Sequence, residues 1–122
     1  MMDIQVDVET TYVEHESDVR GRRHFFAYTI RIANRGDAAA QLLDRHWLVT
    51  DGDGGVREVR GAGVVGQQPR IEPGASYVYT SACILETPVG SMRGSYGFAG
   101  DDGARFEVPI PLFTLHAPSL VH

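Results

Sequence analysis

The sequence predicts an all-β chain folded as an antiparallel β-sandwich of about seven strands, of the fibronectin type III or immunoglobulin-like kind. Three observations predict it. Apolar residues recur at every second position over much of the 122-residue chain, which is the period of a strand. Fourteen Gly and six Pro are spread along the chain at turn-like intervals and are not gathered into a linker. Only Ala38 to Leu43 has a composition that supports helix, and so short a stretch does not persist without tertiary help.

The elements follow in order. Ile4, Val6, Val8, Thr10 and Tyr12 line one side of a first strand. In the run from His24 to Asn34, Phe26, Tyr28, Ile30 and Ile32 share one face, and Phe25, Ala27, Thr29 and Arg31 the other. This is the pattern of a half-buried central strand. After the Asn34-Arg35-Gly36-Asp37 turn, Leu43, Arg45, Trp47 and Val49 alternate with Leu42, Asp44, His46 and Leu48. That third strand ends in Asp51-Gly52-Asp53-Gly54-Gly55, a hairpin signal. Val56 to Val59 form a short return strand, and Ser76 to Leu85 form another, entered through Pro73-Gly74. Thr87-Pro88-Val89-Gly90 makes the next turn. Met92, Gly94, Tyr96 and Phe98 then alternate toward a second tight hairpin at Ala99 to Gly103. Phe106, Val108 and Ile110 interleave with Pro109 and lead to Pro111. Proline cannot donate to a ladder, so this last strand is expected to lie at a sheet edge or to leave the sheet there. Trp47 is the large inward residue around which such a sandwich packs.

Length fits one domain spanning residues 1–122. Sixteen acidic against eleven basic residues leave a net charge of −5, and every basic residue is Arg. With no Lys, a Schiff-base amine and a Walker-A lysine are excluded. The acidic balance argues against a nucleic-acid partner. Cys83 is the only cysteine, so there is no internal disulfide and no cysteine-cluster metal site, which suits a reducing, cytoplasmic setting. Met1 to Asp7 lacks the basic and apolar regions of a signal peptide, and no window has the length of a membrane span.

The sharpest motif is Gly61-Ala62-Gly63-Val64-Val65-Gly66, a GxGxxG match flanked by Arg60 and Arg70. The dinucleotide-binding reading needs a helix after the motif, and Gln67-Gln68-Pro69 with Pro73-Gly74 prevents one. Two readings stay open. Either Arg60, Gly61, Gly63, Gly66 and Arg70 form an anion nest for a phosphate-containing ligand, or the segment is an ordered loop that joins strands and recognises a protein partner. Other candidates carry less chemistry. Asp51 and Asp53 resemble the start of a calcium loop, but Gly55 and Ala62 fall where ligands are needed, so these residues and Asp101-Asp102 are read as turns. The histidines, His15, His24, His46, His116 and His122, have no metal-ligand spacing. Cys83 lies in an apolar run with no His or Arg nearby in sequence and reads as a buried hydrophobe. Ser76, Ser81, Ser91 and Ser95 lack a nucleophile elbow. Arg20, Arg22 and Arg23, preceded by Glu14, Glu16 and Asp18, read as a solvated loop. No catalytic residue, metal ligand or cofactor is expected.

Many of these segments carry a family likeness. Arg45-His46-Trp47 followed by Asp51, the run from Gly61 through Gln67-Gln68-Pro69, Pro73-Gly74, Tyr79-Thr80-Ser81, Thr87-Pro88, Gly90-Ser91-Met92-Arg93-Gly94-Ser95-Tyr96 and Ile110-Pro111-Leu112-Phe113-Thr114-Leu115 resemble the bacterial ApaG (CorD) family over nearly the whole chain. Ala82 stands where many members have Gly. The resemblance implies a fibronectin III-like sandwich, a physiological link to cobalt tolerance and magnesium efflux, and no established enzyme. Similar domains in eukaryotic F-box and polymerase-interacting proteins look like protein-binding modules, and the bacterial gene often neighbours those for a dinucleoside tetraphosphate hydrolase and an rRNA dimethyltransferase. The resemblance supplies no catalytic residues. The expected function is a non-catalytic binding module with an unidentified protein partner and an indirect effect on divalent cations. The alternative is a phosphate, pyrophosphate or nucleotide-binding protein. Dimerisation through an exposed sheet edge is a further expectation.

Overall fold

The computed structural model describes residues 2–118, so His122 lies outside the described residues. They form eight strands. β1 (Ile4–Tyr12), β2 (His24–Asn34) and β6 (Ser76–Leu85) make one antiparallel sheet in the order β1-β2-β6. The other sheet has the order β4-β3-β7-β8, built from β3 (Ala40–Asp51), β4 (Val56–Ala62), β7 (Val89–Gly100) and β8 (Arg105–His116). The two-residue β5 (Arg70–Ile71) adds to the start of β3. The fold is the expected sandwich, with β5 as the strand that two residues of sequence are too short to announce.

The core lies where the inner faces meet. Phe26, Tyr28, Ile30 and Ile32 of β2 alternate inward, as their period of two dictates. They meet Leu42, Trp47 and Val49 of β3 and Met92, Tyr96 and Phe98 of β7. Trp47 is 3% exposed and stands edge-on to Tyr28, Tyr96 and Phe113, with centroids 5.7, 6.4 and 5.9 Å away. Such edge-to-face contacts are the favoured geometry for aromatic quadrupoles.

Two local expectations are corrected, for Leu43 and for β4. Leu43 does not share the inner face with Trp47; Leu42 does, because the β3–β7 register shifts between Leu42 and Asp44. A bulge of one residue reverses the alternation on one side of itself. The Ala38 to Leu43 stretch, too short to persist as helix, is strand from Ala40 onward, pinned by pairing with β5 and β7. The return strand β4 does not stop at Val59 but carries Arg60, Gly61 and Ala62 into the sheet. At the end of the chain, β8 is an edge strand as its prolines require. Its pairing with β7 slips between Met92 and Gly94, opposite the Ile110 to Phe113 stretch that holds Pro111.

Candidate functional site

The hairpin turn at Asp51 to Gly55 sets the register of β3 against β4. Asp51 Oδ1 accepts from the amides of Asp53 and Gly55 at 2.9 Å, the side-chain-to-backbone bonding that Asp brings to turns. From Thr50 opposite Val56, the ladder runs back to Arg45 opposite Gly61. The Arg45 Nη1 then donates to the carbonyls of Ala62 (3.0 Å) and Gly63 (2.9 Å), clamping the chain as it leaves β4.

The glycine-rich segment is held from several sides. The Gly63 amide donates to Leu43 O at 2.8 Å, and Gln68 Nε2 donates to the same carbonyl at 2.8 Å. The Val64 and Gln67 amides exchange hydrogen bonds at 2.8 and 2.9 Å. Between them, Val65 (φ 48°) and Gly66 (φ 76°) make a two-residue turn with both residues left-handed, the type I′ geometry. Val64 is buried in the core, while Val65 projects from the tip, 61% exposed. A β-branched residue at positive φ is a backbone outlier, and here the flanking hydrogen bonds hold it there.

The residues singled out from sequence fall as follows. Gly61 is in β4 under Arg45, Gly63 begins the loop, and Gly66 completes its turn. Arg60 points to Glu58 at 3.5 Å, and the same Glu58 Oε2 lies 2.7 Å from His46 Nε2. Arg70 lies between two carboxylates: it makes a close contact with Glu72 and a two-pronged pair with Asp101 at 3.0 and 2.5 Å. Arg60 and Arg70 are thus each engaged by acid, so an incoming phosphate competes with carboxylates for both. The Arg70 guanidinium holds the Asp101 carboxyl below its usual range. His46 first, and then Arg60, do the same to Glu58.

Beneath the loop lies a cavity of about 320 Å³ bounded by Arg45, Trp47, Val64, Tyr79 and Ser81. Arg45 faces no carboxylate partner among the described residues. Arg45 is absent from the residues singled out by the glycine motif, although its pairing with Gly61 follows from the register of the Asp51 to Gly55 hairpin. Tyr79, in the cavity wall, has its Oη 2.5 Å from the Oη of the buried Tyr96, and burial pushes both phenols up.

Elsewhere the side chains are spread out. Cys83 is buried, but the expectation of no nearby Arg is corrected: Arg57 of β4 reaches across the gap between sheets, with Nη2 3.6 Å from Sγ and 3.3 Å from Ile84 O. Burial still raises the thiol, with Arg57 opposing it. His24 and His46 are on different sheets and do not meet. Among the described residues no group of three or more His, Cys, Asp or Glu is placed to hold a metal ion, and no helix is long and apolar enough to cross a membrane.

Known proteins resemble this chain closely. The family model described as ApaG domain matches residues 14–100. Protein ApaG of Nitrosospira multiformis is 52% identical over 98% of this chain and 94% of its own length. Protein ApaG of Pseudomonas paraeruginosa is 54% identical over the same shares. A Bordetella pertussis crystal structure at 50% identity superposes with a TM-score of 0.94, covering 96% of this chain and 95% of that one. With its strand order, core and clamped glycine loop, this chain belongs to the ApaG family.

Proposed function

We propose that this protein is a non-catalytic recognition module that docks a protein partner on the loop from Arg60 to Pro69. Any effect on divalent cations runs through that partner. The observation that carries the reading is Val65: an apolar side chain held in a left-handed conformation and projected to solvent from a loop clamped by Arg45 and Gln68. A rigid scaffold presenting a fixed loop loses little conformational entropy on binding. The lone thiol is buried with its pKa raised, a poor start for nucleophilic chemistry.

Val65→Asn tests it, since Asn tolerates the left-handed conformation and removes the apolar tip. A protein captured by the wild type from the native cell extract, purified and rebound saturably, should lose affinity for this variant. Equal binding to both, or no saturable partner, ends the proposal.

One observation favours a second reading, that of a phosphate-containing ligand: Arg45 borders the cavity beneath the loop with no carboxylate of its own. Calorimetry with inorganic pyrophosphate and nucleotides separates the two. Saturable heat lost in Arg45→Ala supports the ligand, and no heat removes it.

A further inference from the structure

The end of the sandwich opposite the glycine loop is open, and a cavity lies there. About 570 Å³ of partly open space is found where the end of β1, the start of β2, the start of β7 and the end of β8 converge. That volume is within the range of small-molecule sites. Its wall includes Val19, Pro88, Val89 and Ala117. Val19 and Val89 are among the large apolar side chains left exposed.

His24 is the polar group set into this wall. It continues the inward face of β2 that holds Phe26 and Tyr28, and it is 5% exposed. Its Nδ1 is 3.1 Å from Tyr12 Oη. The Tyr12 hydroxyl has no other hydrogen-bond partner among the described residues, and we assign the ring the tautomer in which that hydroxyl donates to Nδ1. This leaves the ring proton on Nε2. Nε2 has no hydrogen-bond partner among the described residues. Because no fully buried side-chain nitrogen or oxygen there lacks a partner, Nε2 retains access to open space, and the cavity is the space that His24 lines.

The rim selects charge. Arg22, at φ 54°, places its guanidinium 3.5 Å from Asp53 and 3.8 Å from Glu86. Two carboxylates against one guanidinium make the mouth net acidic, which disfavours an anion. We propose that this cavity binds a small neutral molecule with a ring-sized apolar body and a carbonyl oxygen that accepts from His24 Nε2–H. The site stands independently of the loop at the other end.

Heteronuclear NMR on the full chain tests it with three matched probes: benzamide, benzoate and benzylamine. Benzamide should shift the His24 ring and the Val19 and Val89 methyls saturably, with an affinity in about the millimolar range for so few atoms. Benzoate should bind at least several-fold more weakly, repelled by Asp53 and Glu86. Benzylamine carries no acceptor for Nε2–H, so whatever affinity the acidic rim gives it should be the same in the wild type and in His24→Phe. His24→Phe keeps a ring and removes the donor, and should weaken benzamide about tenfold, the loss of one buried hydrogen bond. Val19→Glu changes only an exposed wall position, so it keeps the test open if His24→Phe fails to fold, and it too should weaken benzamide. Shifts absent up to the solubility limit, shifts confined to other surfaces, benzoate binding as tightly as benzamide, or His24→Phe binding benzamide as well as the wild type does would each overturn the proposal.

Discussion

The guanidinium of Arg45 covers Gly61 so closely that a β-carbon on that glycine would come within 2.8 Å of Nη1 and 2.9 Å of Cζ. Strand and loop are thereby linked: the guanidinium that a β-carbon at position 61 would displace also holds the Ala62 and Gly63 carbonyls. Gly61→Ala should therefore cost about 1 kcal/mol, the hydrogen bonding that the displaced guanidinium gives up. In an Arg45→Ala background the clash is gone, and Ala, a better strand residue than Gly, should be neutral or stabilising by about 0.5 kcal/mol. Urea unfolding of the four variants in a double-mutant cycle measures this coupling; additive costs would mean that Arg45 does not rest on Gly61.

Val65 gives a change in the opposite direction. Its left-handed backbone costs a β-branched residue about 1–2 kcal/mol, and its exposed side chain makes little packing to offset that. Val65→Asn or Val65→Gly should raise stability by about 1 kcal/mol in urea titrations. A loss of stability would show that the valine packs.

The exposed carboxylates set the acid limb. Arg70 depresses Asp101, and His46 with Arg60 depresses Glu58. A depressed folded-state pKa contributes stability that is complete above the unfolded carboxylate range, near ~4, and is lost as pH falls through the lower folded value. Asp101→Asn and Glu58→Gln should each be less stable than the wild type at neutral pH, with the difference vanishing in acid. Because both carboxylates are solvent-exposed, added salt should also shrink it. Melting temperature against pH at two salt concentrations checks both trends.

How far these features can be read from sequence depends on the distance over which they are determined. The inward row Phe26, Tyr28, Ile30 and Ile32 follows from alternation alone, because a pleated strand has no other way to place them. Even the Arg45–Gly61 contact is accessible: counting back, pair by pair, from the turn at Asp51 to Gly55 brings those two residues opposite each other. The Leu43 bulge is not accessible, since it depends on how β7 pairs from the far side of β3. Nor is Asp101, the more distant along the chain of the two carboxylates on Arg70. Asp101 is in a hairpin distant in sequence, brought alongside only when β7 pairs with the start of β3. Charge order along the chain therefore showed a cation beside a glycine loop and concealed the carboxylate that engages it.

Tyr79 and Tyr96 join the two sheets through one hydrogen bond between buried hydroxyls. Removing one hydroxyl strands the other in an apolar setting, so Tyr79→Phe and Tyr96→Phe should each cost about 1–3 kcal/mol. The double variant leaves no polar group behind and should cost less than the two singles combined. The alkaline limb follows the same logic. Burial raises both phenols, so their contribution is fully present below the ordinary tyrosine range near ~10 and declines as pH rises beyond it, where the unfolded chain ionises first. Unfolding monitored against pH by phenolate absorbance should show this alkaline decline in the wild type and a shallower one in the double variant. An unchanged alkaline limb would mean that other tyrosines govern it.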